Sequence, residues 1–439
     1  MNKTKVALVG MGTVGTGVAR LLLDHGDRLA RHAGHVLWLE EVVVKDVARP
    51  RDIGLPKSVG YSSDITRITK NPEIEVVALL LGGLEPARTY ALQILESGKH
   101  LVTANKALLA EHGPELFDRA RELGRSIAFD ASVGGGIPII TNISQCFVAN
   151  QIVSLRGILN GTTNFIVSQM EEENATYAEA LAEAQRLGFA EADPTMDVSG
   201  ADAAQKLAIL AHLGFGARVH WKEIPRVGID TLDPADLTYA RELGYRIKLI
   251  AQAKLLDDGL EAHVSPTLVK LGTPLAEVRQ AYNALSVVGD AVGELFYHGL
   301  GAGQMPTASA VVADMVDTSA GRSQITFRNM ELWSKRTMNV RLCDFTQLPG
   351  RYYLRFLVED HPGVLAEITG VLGRHRISIA SIIQHEPGLP TSGDATGVKL
   401  VPLVIMTHQA AEGAAQKAVE EIGRLKTVRA GAVKMRVLD

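Results

Sequence analysis

Cysteine is nearly missing, with Cys146 and Cys343 the two in 439 residues. They stand far apart and outside any CxxC or Cys/His metal spacing, which excludes a disulfide framework or a zinc site and suits a reducing cytoplasm. An excess of one charge is also missing. A formal net charge of -4 offers no basic surplus, so nucleic acid and anionic membrane surfaces are not expected partners and a small molecule is favoured. Long hydrophobic runs are lacking as well. No window approaches the roughly 18 uninterrupted apolar residues of a spanning helix, and Val76 to Leu84 already contains Gly82-Gly83. Lys3 and Lys5 ahead of Val6 to Val9 give the outline of a signal peptide, but Gly10, Gly12, Gly15 and Gly17 interrupt the apolar stretch at once, so it reads as a first strand. Internal repeats and low-complexity segments do not occur.

What is present is the composition of a folded chain, 46% hydrophobic and 21% charged. Its length exceeds the roughly 250 to 300 residues of one core, so two or three domains are expected. From Lys5 to Asp130, short apolar runs alternate with amphipathic stretches: Val6–Val9, a helix near Val14 to Arg31, Glu41–Val47, Val76–Leu81, a helix over Pro86–Ser97, His100–Val102 and Ser126–Phe129. That alternation predicts an α/β unit over 1–130 with a doubly wound parallel sheet. Residues 131–305 read as a separate α+β domain with Ala-rich helices over Tyr177–Leu187 and Asp202–Leu213. Pro306 to Thr318 reads as a helix that can return to the first domain, and 319–350 as a connector without clear period. Residues 351–439 follow the order βαββαβ, the ferredoxin-like layout, with a loop rich in Gly and Pro in the middle.

Gly10-Met11-Gly12-Thr13-Val14-Gly15 is a GxGxxG between a strand and a helix, the context a dinucleotide fingerprint requires. Gly10 permits the tight turn, Gly12 lets backbone approach a pyrophosphate, Gly15 permits close helix packing, and the helix N-terminus offers free N–H groups to the anion. At the end of the second strand Asp46 can accept from a ribose diol, whereas Arg49, Arg51 or Lys57 can pair with a 2′-phosphate, so NAD and NADP both stay open. Asn160-Gly161-Thr162-Thr163-Asn164 gathers polar side chains around one glycine, as a substrate loop or an ordinary turn would. The stretch Leu187 to Asp197 crowds Glu191, Asp193 and Asp197 into an interhelical loop, and Asp202 and Lys206 then stand four apart on one helical face. By spacing alone that pair reads equally as a solvated ion pair contributing about 0.3 to 0.5 kcal/mol.

Taken in order, Gly10 to Gly15, Val102-Thr103-Ala104-Asn105-Lys106, Ala131 to Pro138 with its Gly134-Gly135-Gly136, Asn160 to Asn164, Gly188 to Asp197, Asp202 to Lys206 and Gly299 to Gly303 with Pro306 to Ala310 resemble homoserine dehydrogenase over about three quarters of the chain. The tail, with Asp360-His361-Pro362-Gly363-Val364-Leu365 in its first strand-to-helix turn, resembles an ACT domain, a small regulatory unit that often binds amino acids. The resemblance implies reversible reduction of L-aspartate 4-semialdehyde to L-homoserine with NADPH or NADH, a step toward threonine, isoleucine and methionine. It also implies feedback control, commonly by threonine, through the tail, and a dimer or tetramer joined through the middle domain.

Residue by residue, the resemblance makes Lys206 the proton donor, Lys106 a second lysine beside nicotinamide and substrate, and Glu191 and Asp202 substrate ligands. Asp197 and the backbone of Gly161 and Thr162 complete that pocket, while Gly188 and Gly303 join Gly10, Gly12, Thr13, Val14 and Gly15 against the cofactor. A monovalent cation, often sodium, is implied at Asp130 with the carbonyls of Val133, Gly135 and Ile137. Asp130 stands where a glutamate is usual and Phe189 where a tyrosine is common. Two other readings compete. Aldehyde oxidation through a covalent thiohemiacetal, as in aspartate-semialdehyde dehydrogenase, needs a thiolate beside a base, and Cys146 has no histidine near it in sequence. A nucleotide- and amino-acid-sensing regulator has no need of Lys106, Glu191, Asp202 and Lys206 together.

Overall fold

The computed structural model describes residues 3–333, 340–385 and 399–438; part of the expected connector and most of the Gly- and Pro-rich loop lie outside them. The first sheet is wholly parallel. It comprises β1 (Lys3–Val9), β2 (Val36–Val43), β3 (Gly60–Ser62), β4 (Ile74–Leu79), β5 (His100–Thr103) and β6 (Ile127–Ala128) in the order β3-β2-β1-β4-β5-β6. The order of strand addition reverses between β1 and β4, so loops from both halves face one crevice at the carboxyl ends of the strands. The single helix expected over Val14 to Arg31 is two, Thr13–Asp24 and Gly26–Ala33. Gly26 weakens the helix there, and Asp27 suits the first turn of a new one.

Helix Gln304–Ser319 packs against Thr13–Asp24, burying Ala308, Val311 and Met315 with Val6, Leu8 and Val18. Gly17 makes the contact possible, since a Cβ there would stand 2.9 Å from the Cβ of Ala308. The connector read over 319–350 contains a further helix, Arg322–Met330, followed by an aromatic anchor. Trp333 lies flat on His212 at 4.6 Å between ring centres and meets Phe117 edge-on at the same distance. Such isolated aromatic anchors leave no period in a sequence.

The second sheet is formed by β7 (Ile152–Ile158), β8 (Tyr245–Leu256), β9 (Gly259–Lys270), β10 (Tyr282–Gly289) and β11 (Gly293–Leu300), antiparallel in the order β11-β10-β7-β8-β9. Helices Gly161–Glu173 and Ala201–Phe215 pack on it. Ala201–Phe215 is buried nearly all round, Asp202 and Lys206 included, which removes the solvated-pair reading of those two residues.

The tail contributes β12 (Pro349–Glu359), β13 (Ile379–Ile383), β14 (Leu400–Thr407), the two-residue β15 (Ala410–Ala411) and β16 (Val428–Leu438). Its order β16-β12-β14-β13, with helices Val364–Arg374 and Glu412–Ile422, is the ferredoxin-like arrangement. β16 also pairs in parallel with β9, Arg436 opposite Thr267 through Leu438 opposite Val269, so the two sheets run on as one. A second tie lies alongside. Asp236, fully buried on helix Pro234–Glu242, accepts from Tyr353 Oη at 2.8 Å and from both Arg355 Nε at 2.6 Å and Arg355 Nη2 at 2.9 Å. Among the described residues no helix is long and apolar enough to cross a membrane.

Candidate active site

The glycine turn after β1 is built as its spacing predicts. Gly10 has φ +98°, and a Cβ on it would meet Leu80 O at 2.8 Å; a Cβ on Gly15 would fall 2.2 Å from Gly10 O. Gly12, the residue before helix Thr13–Asp24, has open space where a Cβ would be, and no side chain caps that helix. Unpaired N–H groups of Thr13, Val14 and Gly15 and the positive end of the helix dipole therefore face open space, which fits a pyrophosphate.

Beside this turn, Met11, Arg49, Arg51, Leu55, Lys57 and Tyr61 border a cavity of about 430 Å³. Asp46 spends one carboxylate oxygen on the backbone N–H groups of Ala48 at 2.9 Å and Arg49 at 3.3 Å, an Asx turn that shapes the loop. Arg51 reaches across to Met11 O at 3.0 Å. Gly303, with φ +118°, precedes helix Gln304–Ser319, and Gly188, with φ +77°, lies exposed after helix Tyr177–Arg186.

The acid–lysine cluster forms where β5 and β7 end. Lys106 is the first residue of helix Lys106–Glu122. Asn105 caps that helix, accepting from the N–H of Leu108 at 3.0 Å, and its amide donates to Leu81 O at 2.9 Å and Gly83 O at 2.7 Å. Those three bonds fix the direction in which Lys106 leaves the sheet. Its Nζ meets Asp202 Oδ1 at 2.9 Å, while Lys206 Nζ meets Asp202 Oδ2 at 2.8 Å and Leu159 O at 2.6 Å. One buried carboxylate thus sits between two ammonium groups from different domains.

Asn160 completes the cluster, and sequence reasoning gave it no role. Its Oδ1 caps helix Gly161–Glu173 through the N–H of Thr163 at 2.8 Å, while its amide donates to Asp197 at 2.7 Å and Asp202 at 2.8 Å. The motif displayed it, but only the fold reveals that one amide both starts a helix and orients two acids. Asn283 was missed altogether; it donates at 3.2 Å to the same Leu159 carbonyl that receives Lys206.

Burial and charge separate the two lysines. Burial lowers Lys206; Asp202 opposes this and the Lys106 charge reinforces it, so its ammonium is held below the ordinary lysine value. Asp202 outweighs desolvation at the more open Lys106 and holds it above that value. For Asp202 itself burial acts upward, but the two ammonium groups and the Asn160 amide together hold it well below the usual carboxylate range. Asp197 is raised, by burial and then by the charge on Asp202.

Other predicted residues divide by environment. Glu191 is exposed, near enough for its charge to act on Lys106. Asp193 is a turn cap for Thr195, bonding its N–H at 3.1 Å and its hydroxyl at 2.6 Å. Thr162 donates to Phe189 O at 2.6 Å, tying the 160–164 loop to the acidic one, and the Phe189 ring lies 4.8 Å from that of Phe165. A Cβ on Gly161 would meet Ala281 O at 2.6 Å. Asp130 is buried, accepts from the N–H of Thr141 at 2.9 Å, and donates its own N–H to Asp314 Oδ2 at 2.9 Å. Burial, followed by other carboxylates, pushes Asp130 up to about 6 and Asp314 upward as well. Gly135 packs on the Gly301 carbonyl, and Ile137 O accepts from the N–H of Ile139 at 2.8 Å. Cys146, offered for a covalent route, has the side chain of Asn142 as its partner at 3.6 Å.

Models of the homoserine dehydrogenase NAD-binding domain and of homoserine dehydrogenase match residues 10–130 and 138–316, and an ACT-domain model matches 352–426. A homoserine dehydrogenase of Pseudomonas aeruginosa is 41% identical over 100% of this chain and 99% of its own length. The chain belongs to the homoserine dehydrogenase family. It is thus an NAD(P)-dependent oxidoreductase with a C-terminal ACT domain, and the sensor-only reading is not favoured. The homoserine dehydrogenase of Bacillus subtilis is 38% identical over 98% of the chain and 97% of its own. Among solved structures, a homoserine dehydrogenase from Thiobacillus denitrificans superposes with TM-score 0.89 at 37% identity, covering 100% of this chain and 99% of that one. A hyperthermophilic archaeal homoserine dehydrogenase mutant in complex with NADPH superposes over 72% of this chain and 98% of its own, with TM-score 0.60 at 25% identity.

Proposed function

We propose that Lys206 is the proton donor in the reduction of L-aspartate 4-semialdehyde to L-homoserine, with Lys106 a permanent cation beside it. The observation that carries this is the opposite displacement of two lysines on one buried carboxylate: Lys206 below its ordinary value, Lys106 above. Titratable neighbours pushed apart in this way take different roles. When bound, the nicotinamide would supply hydride to the aldehyde carbon. The oxygen that gains charge needs a proton, and Lys206, eased toward its neutral form by burial, gives it up and takes one back in the reverse direction. Lys106 keeps its charge and stabilises the oxygen throughout. Asp202, itself held by the Asn160 amide, keeps both nitrogens in place, and Glu191, Asp197 and the Gly161-Thr162 backbone surround the substrate ammonium.

Arg49, Arg51 and Lys57 around the 430 Å³ cavity, with the Asp46 carboxylate already engaged by backbone, favour a 2′-phosphate and hence NADPH. The NADPH bound to the archaeal relative accords with this. A monovalent cation suits the Asp130 corner chemically: Asp130 and Asp314, both raised by burial and by neighbouring carboxylates, are hard-oxygen donors whose ionised form a cation would stabilise. Asp130 with the carbonyls of Val133, Gly135 and Ile137 would hold it, supplying a counter-charge. Threonine as effector at the tail, a dimer or tetramer, a cytoplasmic setting and a place in threonine, isoleucine and methionine synthesis belong to the same reading. Lys206→Ala tests its centre: turnover should fall about 100- to 10,000-fold with cofactor binding retained, and wild-type turnover would remove Lys206 from the role.

A further inference from the structure

Between the middle domain and the tail lies a cavity of about 470 Å³, within the range of small-molecule sites. Its walls come from both units. Val227 and Val264 line it from the middle domain, Phe345 and Met435 from the tail side. Four cations, Arg226, Lys417, Lys434 and Arg436, and two carboxylates, the buried Glu412 and the exposed Glu420, surround these apolar walls, leaving an excess of positive charge. Lys434 and Arg436 already share the buried Glu412, which also receives the Tyr352 hydroxyl at 3.0 Å. Arg226 and Lys417 are exposed on the lining and have no carboxylate at ion-pair distance among the described residues. Arg226 rests over the Trp221 ring at 5.3 Å.

The middle-domain wall is also the rear of the acid loop. Val227 N–H donates to Val264 O at 2.9 Å, and Val264 N–H donates to Pro225 O at 3.0 Å, holding 225–227 on β9. Two residues on, Ile229 N–H donates to Val198 O at 2.9 Å, and Gly228 fits so closely that a Cβ would lie 2.3 Å from that carbonyl. Val198 follows Asp197 directly. Gly200, which starts the helix of Asp202 and Lys206 with φ +78°, would with a Cβ touch Val264 at 3.2 Å. A single layer of backbone therefore separates the cavity from the segment that carries Asp197, Asp202 and Lys206.

We propose that this interdomain cavity binds a small carboxylate with an apolar tail, its charge on Arg226 and Lys417 and its tail against Val227, Phe345 and Met435, and that occupancy shifts the 197–200 segment and so the turnover. The coupling half rests on the proposed roles of Asp202 and Lys206; the binding half does not. Calorimetric titration of the full chain with 3-phenylpropanoate should show saturable binding, at least about tenfold tighter than acetate or 3-phenylpropan-1-ol. L-Phenylalanine in a parallel arm separates an amino acid from a simple carboxylate, and saturable binding of either supports the site. Arg226→Glu and Lys417→Glu, both at exposed positions, should each weaken the probe about tenfold and leave unliganded kcat within about twofold. Absence of saturable binding by both probes, or binding unchanged in the double variant, overturns the site. Binding that leaves kcat and KM for homoserine unmoved overturns the coupling alone.

Discussion

Replacing Asp202 by Asn removes one negative charge from between two positive ones and leaves volume nearly unchanged. Its oxygens lie 2.8 Å from Lys206 Nζ and 2.9 Å from Lys106 Nζ. Unit charges about 4 Å apart at an effective dielectric constant of about 20 interact with about 4 kcal/mol. Losing that attraction lowers Lys206 further from a value that burial already depresses. The variant's Lys206 therefore gives up its proton more readily than the wild type's, and the forward reaction runs short of its acid. We expect kcat for aldehyde reduction to fall about 100- to 10,000-fold at pH 7. Activity should recover in part as pH is lowered, because protonation restores the donor. Cofactor binding, followed by NADPH fluorescence, should stay near wild type, since the glycine turn shares no hydrogen bond with Asp202. A variant with wild-type kcat, or one whose loss is the same at every pH, would refute the electrostatic account.

Arg49→Ala with Arg51→Ala should raise KM for NADPH about ten- to a hundredfold, the worth of one or two charge-assisted bonds, with little change for NADH; equal effects on both coenzymes in steady-state assays would remove the 2′-phosphate reading. Asp130 and Asp314 bind their protons more tightly folded than unfolded, so the stability they contribute at low pH is lost as pH rises, for Asp130 between about 4 and 6. Asp314→Asn keeps an acceptor for the Asp130 N–H and removes that loss, so its Tm in choline chloride at pH 8 should exceed wild type; a lower Tm contradicts the assignment. Arg355→Met leaves Asp236 buried without its cation, which should cost about 3 to 5 kcal/mol and appear as a lowered thermal transition. An unchanged transition would mean that the ion pair does not hold the tail.

The parallel sheet, the glycine turn and the ferredoxin-like tail were legible because each rests on local periodicity and turn chemistry. Lys106, Asp202 and Lys206 were found through motif resemblance, since four-residue spacing alone describes a surface pair as well as a buried one. What decided between those readings was burial of helix Ala201–Phe215 on all sides, a property of the sheet beneath it and not of the helix. Burial also settled the direction of Lys206, which charges alone left balanced. Asn160 and the Leu159 carbonyl escaped because their partners lie 37 to 47 residues away in sequence. The break at His25 and the anchor at Trp333 were missed for the opposite reason, as single residues overrode a pattern.

β9 carries a further consequence. Along the edge that faces away from β8 it is covered piecewise: Leu260 by Arg341 and Cys343, Val264 by the 225–227 segment, and Thr267 to Val269 by β16. Each cover is short and two of them come from beyond residue 340. A catalytic fragment cut before the tail would bare Leu260 and Thr267 to Val269, exposing main-chain donors and acceptors of an edge strand that invites pairing with another molecule. The tail therefore serves as a seal against self-association, and its loss should be seen first in solubility.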